Sequence, residues 1–412
     1  MDAGIFSKPG KPLGKYYGGI GGTGSCRRAS ATLSPSRNPG SATMLTGVVA
    51  CGYRTIAFCV ICILLVTTAA CSIPGNLRSS TADDGASPQQ VDVFFATNRT
   101  PAADSRVFFG PERGAMSFGI TRVGIPPGHQ LGRQEGPSVF KFEWAPDDHK
   151  HINVREVITL TPKNYYERLG QAVEDSPDGK LMVFVHGYNV DFPDASRLVA
   201  QFANDLKFSG PVVLFSWPSQ GSLTGYTIDE TNAEWSQAHL NELLASLIEN
   251  VPARNIYLVG HSMGNRILGK AMTTLATDRL DGDLIVFREI VMIAPDIDTD
   301  VFRLDMAPRL SKTGINVTLY ASSNDRALMA SKAFHGYPRA GESGDGLVVI
   351  DGVETIDASD VSGTILGHSY FSEDRRIMED IFSLLQSGQR ADNRFGLAMV
   401  ETDSGRYWTL RK

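Results

Sequence analysis

Residues 255–264 read NIYLVGHSMG, and this stretch decides the fold. Residues 255–259 form a short apolar run typical of a buried β-strand, and residues 265–272 (NRILGKAM) have the spacing of an α-helix. The G-x-S-x-G motif between them is centred on Ser262. A strand, this motif and a helix together form a nucleophile elbow, a tight turn that exposes a serine hydroxyl. The stretch therefore predicts that Ser262 is a nucleophile.

The chain on both sides of this elbow alternates strands with helices. Continuous apolar runs predict buried strands at residues 181–186, 212–217, 289–294 and 315–321, with another within 347–356. Helical spacing occurs at residues 193–208, 231–250, 300–310, 326–334 and 373–385. Short apolar stretches among many Gly and Pro residues predict antiparallel edge strands at 91–97, 115–123, 139–144 and 154–161. The expected fold class is α/β, an α/β-hydrolase fold with a mostly parallel central sheet, helices on both faces and an antiparallel N-terminal edge.

The N-terminal region is of a different kind. An uncharged apolar run, residues 55–70 (TIAFCVICILLVTTAA), has about the length of a signal-peptide core and leads into Cys71. This arrangement resembles a bacterial lipoprotein signal, in which the cysteine is lipidated and becomes the new N-terminus. Ser72, in place of an aspartate after that cysteine, favours the outer membrane over the inner one. A retained membrane anchor and a cleaved soluble form are the alternatives.

The whole chain then divides into five segments. Residues 1–43 are predicted to be a non-native upstream extension, because Met44 would begin an ordinary signal peptide covering residues 44–71. A polar tether follows at residues 72–90. It leads into one hydrolase domain, residues 91–390, and a C-terminal tail, residues 391–412, with the pattern of a small hairpin.

Charge and cysteine content exclude several function classes. Residues 1–71 carry seven basic side chains and one acidic one, so the rest of a chain with net charge −6 carries −12. An acidic body offers no basic face for phosphates, which argues against nucleic acid as a partner. All five cysteines lie in the first 71 residues, so the body has no thiol nucleophile and no cysteine metal site.

The base that activates Ser262 must follow it in the sequence. A serine hydroxyl needs a base to take its proton and an acid to orient that base. In an α/β-hydrolase the chain order is Ser, then Asp or Glu, then His. Of the eight histidines, His335 and His368 follow the serine. His368 lies in a loop beyond the final strand, where the base of this fold belongs, and it is the predicted base, with His335 as the alternative.

The acid is predicted from its place after a strand. Asp325 follows the second strand beyond the elbow and is the predicted acid. Asp296 and Asp298 follow the first strand beyond the elbow and are the alternatives. Each of these aspartates also precedes a predicted helix, where an aspartate commonly serves as the N-cap.

Two backbone N–H groups are predicted to bind the oxyanion that forms when Ser262 attacks. Met263 N–H lies at the start of the elbow helix. Residues 186–189 (HGYN) end a strand and match the His-Gly-x turn that supplies the second donor in many lipases and esterases, which indicates the N–H of Tyr188. His186 is expected to orient this turn rather than to transfer protons.

Three residues near the elbow are weaker candidates for the substrate pocket: His186, Trp217 and His261. Trp217 ends a predicted strand and could line the pocket or pack beneath the neighbouring loop. No metal site is predicted. Asp296, Asp298 and Asp300 have the spacing of the start of an EF-hand loop, but valine stands at the turn-glycine position and alanine at that of the bidentate glutamate.

Several motifs occur together in a way that is specific for one family. These are residues 93–99 (VFFATNR), 184–189 (FVHGYN), 215–219 (FSWPS), 260–264 (GHSMG), 293–298 (IAPDID) and 367–369 (GHS). The set resembles a bacterial family of α/β-hydrolase-like proteins of unknown function in the esterase/lipase superfamily, several of which carry lipoprotein signals. The resemblance covers about residues 91–385. It implies a serine hydrolase fold and leaves the substrate open.

The sequence as a whole predicts a serine hydrolase of the carboxylesterase or lipase type. It would act on a small-molecule or lipid ester through an acyl-enzyme, without a cofactor, while anchored by lipid at the cell envelope. Two alternatives are an acyltransferase that uses the same residues and a non-catalytic binding or scaffold lipoprotein. The sequence does not determine the oligomeric state.

Overall fold

The computed structural model describes residues 87–104, 106–136, 147–278, 283–361, 371 and 374–411. All of them belong to one unit of the chain, Ser79–Lys412. In these residues eleven strands, numbered β1 to β11, are Gln89–Pro101, Phe109–Ile125, Asn153–Leu160, Lys180–Val185, Val212–Ser216, Asn255–His261, Phe287–Ile293, Asn316–Ala321, Val353–Asp357, Leu397–Thr402 and Gly405–Leu410. They form one sheet in the order β10-β11-β9-β8-β7-β6-β4-β5-β1-β2-β3.

The centre of this sheet is parallel, as predicted. Every neighbouring pair is parallel along the part of the sheet with the order β1-β5-β4-β6-β7-β8-β9. All six residues of β4 and all five of β5 are buried, which explains the apolar runs at residues 181–185 and 212–215. In a parallel sheet the carboxyl ends of the strands lie along one edge, so the loops after β4, β6, β7 and β8 meet there.

The N-terminal edge is antiparallel, which confirms the prediction. β1 pairs antiparallel with β2, and β2 with β3. The apolar stretch at 139–144, predicted as another strand, lies outside the described residues. β1 also pairs in parallel with β5, where Thr97 is opposite Ser216 at the carboxyl end of β5. This register carries the next residues of β1 to the edge where the loops meet.

Helices cover both faces of the sheet, as predicted. Numbered α1 to α8, they are Pro162–Glu174, Phe192–Asp205, Tyr226–Asn250, Gly264–Asp278, Thr299–Val301, Ala307–Ser311, Arg326–His335 and Arg375–Ser387. One apolar core includes residues of α1, α3 and α4, and the other includes residues of α2 and α8. The two clusters are separated by the sheet because side chains alternate between its faces.

Helix α1 was not among the predicted helices. Thr161 caps it by accepting a hydrogen bond from the N–H of Asn164, and Pro162 occupies its first turn. Tyr165, Leu169 and Val173, four residues apart, are its buried stripe. A threonine cap followed by proline and an apolar residue every fourth position is a helix signal, so the information was present in the sequence.

Two other helices differ from their predicted bounds. Helix α3 begins at Tyr226 rather than at residue 231, and its first turns bury the polar side chains of Asp229 and Asn232. These polar residues face the loops at the sheet edge, so the apolar spacing that predicts a helix starts only later. The helix predicted at 300–310 is divided into α5 and α6 by the π-helical turn Phe302–Met306.

The C-terminal residues extend the sheet. β10 and β11 pair antiparallel, and β11 pairs in parallel with β9 through Trp408 and Thr409. The hairpin pattern of residues 391–412 is therefore realised as two further strands at one edge.

A partly buried histidine fixes the segment after β2 to helix α2. His129 Nδ1 lies 2.7 Å from Glu135 Oε2 and its Nε2 lies 2.6 Å from Asp205 Oδ1. Burial by itself would lower the pKa of His129, but the hydrogen bonds and charges of the two carboxylates raise it to about 9. His129 is therefore an imidazolium that joins two acids near neutral pH.

Among the residues that the structure describes, no helix has the length and apolar character needed to cross a membrane. The apolar run at 55–70 and Cys71 lie outside those residues.

Candidate active site

Ser262 lies at the junction of β6 and α4 in a strained conformation. Its φ is 52°, in the left-handed region that a non-glycine residue enters at a cost of about 1–2 kcal/mol. Its N–H donates a 2.9 Å hydrogen bond to the carbonyl oxygen of Ile293 at the end of β7. The backbone geometry is that of a nucleophile elbow.

The two elbow glycines are required by close contacts. A Cβ atom at Gly264 would overlap the carbonyl oxygens of Val185 and His186, and one at Gly260 would overlap the side chain of Asn265. At Gly264 any larger residue would push the elbow away from the end of β4, and at Gly260 it would displace Asn265 of the elbow helix. Gly264 therefore sets the distance between the elbow and the end of β4, and Gly260 keeps the strand and the helix of the elbow close together.

Ser262 opens onto a mainly apolar cavity of about 350 Å³. Its walls come from the turn after β4, the start of α3 and helix α7, and the lining residues are Tyr188, Leu223, Tyr226, Ser262, Asp296, Ala327, Leu328, Ala330, Ser331 and Phe334. Leu223 and Phe334 are 76% and 65% exposed, so large apolar side chains also flank the outer part of the cavity. This volume is within the range of pockets for small organic ligands.

Asp325 follows β8 at the same edge of the sheet and is 1% exposed. Its Oδ1 accepts 3.0 Å hydrogen bonds from the N–H groups of Ala327 and Leu328, so it is the N-cap of α7. Asp298 caps α5 in the same way, through the N–H groups of Asp300 and Val301. Capping accounts for part of the hydrogen-bonding capacity of each carboxylate.

Asp296, the other predicted alternative, lies in the cavity wall with its carboxylate fully engaged. It lies 3.2 Å from Arg266 Nη2 and 3.1 Å from Arg339 Nε, and it accepts hydrogen bonds from the hydroxyls of Tyr226 and Ser331. Burial raises its pKa, but the two guanidinium charges and the two hydroxyl hydrogen bonds together outweigh burial and bring the pKa below its usual range. These four partners argue against Asp296 as the acid that orients a catalytic base.

The predicted base, His368, lies in the segment 362–370, outside the described residues. Phe371, just after this segment, packs its ring 4.5 Å from the ring of His261, the residue before Ser262. His335, the alternative base, has Nδ1 2.8 Å from the carbonyl oxygen of Ser331 and Nε2 2.7 Å from Glu230 Oε1. Both of its ring nitrogens are therefore engaged away from Ser262.

The turn after β4 lies directly against Ser262. A Cβ atom at Gly187 would lie 2.9 Å from Ser262 Cβ, so this backbone approaches the elbow as closely as a glycine permits. Tyr188 follows in the cavity wall, and Asn189 has a left-handed φ of 59°. The turn therefore lies beside Ser262, and the role of the Tyr188 N–H as an oxyanion donor stays a prediction.

The three weaker pocket candidates lie around the turn and are not among the lining residues of the cavity. The rings of His186 and Trp217 are fully buried and stacked, 5.2 Å apart with 9° between their planes, and Trp217 Nε1 donates to the His186 carbonyl at 2.7 Å. This contact corresponds to the packing alternative for Trp217. His261 is 5% exposed and contacts Phe371.

Sequence reasoning did not single out two charged residues that surround this turn. Arg99, in β1, is 1% exposed, and Asp229, in α3, is fully buried. Arg99 belongs to the VFFATNR run that carries the family resemblance, and this was the one available signal. No signal in the sequence pointed to Asp229, because a polar residue on the first turn of a helix ordinarily faces solvent.

Within the described part of the chain, no group of three or more His, Cys, Asp or Glu side chains could hold a metal ion.

Comparison with known proteins decides the family. Residues 162–387, more than half of the chain, match the family described as "Alpha/beta hydrolase of unknown function (DUF900)". The chain belongs to this family. The DUF900 region begins at α1 and ends at α8, so it contains Ser262, Asp325 and the turn after β4, while β1 and Arg99 lie before it.

The chain is also similar to individual proteins, over part of its length or at low identity. A protein of Mycoplasma genitalium named "Putative esterase/lipase 3" is 31% identical over 116 residues, which are 28% of this chain and 36% of that protein. The chain thus spans about a third of the length of this relative. Among solved structures, phospholipase PlaB from Legionella pneumophila is 14% identical over 57% of this chain and 69% of its own, with a TM-score of 0.32. The poly(3-hydroxybutyrate) depolymerase LpqC from Bordetella parapertussis is 14% identical over 74% and 92%, also with a TM-score of 0.32.

Proposed function

We propose that this DUF900 protein is a serine hydrolase that cleaves carboxylic esters through an acyl-enzyme. The observation that carries the proposal is the left-handed backbone of Ser262, which presents its hydroxyl to an apolar cavity beside a glycine turn. Backbone strain of this kind persists only where the surrounding structure enforces it, and it clusters at active sites.

In the first half of the reaction, Ser262 Oγ attacks the ester carbonyl while His368 accepts the serine proton. The N–H groups of Met263 and Tyr188 stabilise the resulting oxyanion. The tetrahedral intermediate collapses, the ester C–O bond breaks, and the alcohol leaves with the proton returned by His368. The acyl group remains on Ser262.

In the second half, His368 takes a proton from water, and the hydroxide attacks the acyl-enzyme carbonyl. The second tetrahedral intermediate collapses, the bond between the acyl carbon and Ser262 Oγ breaks, and His368 returns its proton to Ser262 Oγ as the carboxylic acid leaves. Asp325 would orient the imidazole and stabilise its charged form in both halves.

The cavity supports an ester with an apolar chain as the substrate. Seven of its ten lining residues are apolar or aromatic, and the charge of Asp296 is already compensated by two arginines. A hydrocarbon chain in this cavity would gain from leaving water, at about 25 cal/mol for each Å² buried.

We also propose that the protein is attached to the cell envelope by a lipid on Cys71, as the signal-like run at 55–70 suggests. Metabolic labelling with radioactive palmitate should mark the full-length protein and fail to mark a Cys71→Ala variant. Equal labelling of the two would overturn the lipid anchor.

The enzyme assignment is tested by a fluorophosphonate probe, which forms a covalent bond with an activated serine. The full-length protein and Ser322→Ala should react, and Ser262→Ala should not. Ser322 is a suitable control because it is likewise buried just after a strand of the same sheet, β8. Absence of labelling in a folded wild-type sample would favour a non-catalytic scaffold.

A further inference from the structure

Arg99 is a buried cation whose hydrogen bonds converge on the loops beside Ser262. Its Nη1 donates to the carbonyl of Ser219 at 2.9 Å, its Nη2 to the carbonyl of Val190 at 2.8 Å, and its Nε to Ser216 Oγ at 3.0 Å. Within the described residues, none of its hydrogen bonds goes to a carboxylate. The guanidinium therefore joins β1 to the loops after β4 and β5.

Asp229 holds the same turn from the side of helix α3. Its Oδ2 accepts hydrogen bonds from Asn189 N–H at 3.3 Å and from Ser219 Oγ at 2.6 Å. Ser219 Oγ in turn accepts the N–H of Val190 at 3.1 Å. The N–H groups of two consecutive residues of the turn are thus fixed by one carboxylate and one hydroxyl.

His186 fixes the first peptide of the turn. Its Nδ1 lies 2.8 Å from the carbonyl oxygen of Gly187, and since a carbonyl only accepts, Nδ1 carries the proton. The Gly187 carbonyl and the Tyr188 N–H belong to one trans peptide and point in opposite directions. Holding that carbonyl therefore sets the direction of the Tyr188 N–H.

Arg99 also reaches this histidine, with Nη2 3.5 Å from His186 Nε2. Burial, and then the charge of Arg99, lower the pKa of His186 to about 3, so the ring is neutral and its Nε2 is an acceptor. A second path thus runs from Arg99 through His186 to the Gly187–Tyr188 peptide.

We propose that Arg99 and Asp229 are positioning residues for the oxyanion donor, holding the Tyr188 N–H in the direction that the transition state requires. This inference rests on the proposed function and extends it to residues that do not touch the substrate. A donor acts in catalysis only if its direction is fixed before the reaction, because reorientation during the reaction would cost the energy it supplies.

The energetic cost of Arg99 supports this role. A buried cation without a carboxylate in hydrogen-bond contact is expensive, and here burial lowers the pKa of Arg99 to about 10 despite the charges of Asp191 and Asp229. A turn that needed only to be packed could be held by apolar side chains at less cost.

The test compares Arg99→Met with Arg394→Met. Arg394 is equally buried, but it pairs with Asp380 and Glu354 beside the C-terminal strands. Both variants should melt at lower temperature than wild type. Arg99→Met alone should lose about 10²-fold in kcat with little change in KM, as for removal of an oxyanion donor.

A transition-state analogue separates positioning from general destabilisation. A trifluoromethyl ketone forms a tetrahedral oxyanion on the serine, so its affinity should fall by the same factor as kcat/KM in Arg99→Met and stay unchanged in Arg394→Met.

If Arg99→Met does not fold, Ser219→Ala is the second test, because it removes the link between Val190 and Asp229. It should show a smaller loss of the same kind, with Ser196→Ala as the buried-serine control.

The outcomes distinguish this inference from the proposed function. Wild-type protein that neither reacts with fluorophosphonate nor cleaves esters would overturn both. An active wild type whose folded Arg99→Met and Ser219→Ala variants keep its kcat and its affinity for the ketone would overturn the positioning role alone. Equal losses of kcat in Arg99→Met and Arg394→Met would also overturn it.

Discussion

The two roles available to Asp325, helix cap and triad acid, are separated by Asp325→Asn. Asparagine caps a helix about as well as aspartate, so the bonds to Ala327 and Leu328 can persist. At the cap, the variant loses the interaction of a negative charge with the N-terminus of α7, about 0.3–1 kcal/mol. If the carboxylate also orients His368, the amide would favour the wrong tautomer, and kcat should fall about 10⁴-fold, or about 5 kcal/mol.

The assay measures kcat with an activated ester and thermal unfolding on the same samples. Asp298→Asn is the matched control, because Asp298 caps α5 by accepting from the N–H groups two and three residues further along the chain, as Asp325 does for α7. We expect both variants to melt near the wild-type temperature and only Asp325→Asn to lose activity. A folded Asp325→Asn protein with kcat within tenfold of wild type would refute the assignment, and loss in Asp298→Asn instead would transfer the role to that residue.

Three further results are expected. Ala330→Phe, in the cavity wall, should shift the dependence of kcat/KM on acyl length toward shorter acyl chains. Ala333→Phe, on the exposed side of the same helix, should not shift it. Identical profiles for the two variants would contradict the cavity as the binding site of the acyl chain. Since the pKa of His129 is raised in the folded state, its contribution to the unfolding free energy should be complete below pH 6.5 and be lost as the pH rises through about 9. Urea titrations should show a loss of at most about 3 kcal/mol over this pH range. A His129→Gln protein whose unfolding free energy falls by the same amount over this range would contradict the role of His129. Ser262→Gly should be about 1 kcal/mol more stable than Ser262→Ala in the same titrations, because glycine adopts a φ of 52° without strain, and equal stabilities would argue against stored strain.

The general fold could be predicted because its signals are local. Apolar runs identified β4 to β8, and helical spacing identified most helices between them. Alternation of the two then required a parallel sheet with helices on both faces. The prediction failed where polar residues interrupted the pattern, as at the start of α3, where Asp229 is buried against the turn instead of facing solvent.

The candidate site was predictable to the extent that it follows chain order. Ser262 was predicted from its motif, Asp325 from its place after a strand, and the turn after β4 from its His-Gly pair. The choice between Asp325 and Asp296 could not be made from order alone. What counts against Asp296 is its contact with two arginines, 30 and 43 residues away along the chain.

By itself, the sequence determined the order of strands and helices and the position of the elbow, because backbone conformation and burial pattern depend on neighbouring residues. Only the tertiary structure decided which charges meet beside Ser262. Arg99 contacts Val190 across 91 residues, and Asp229 meets Asn189 across 40. Such contacts depend on strand register and sheet order, since a buried charge is stable only where the fold brings hydrogen-bonding partners to it.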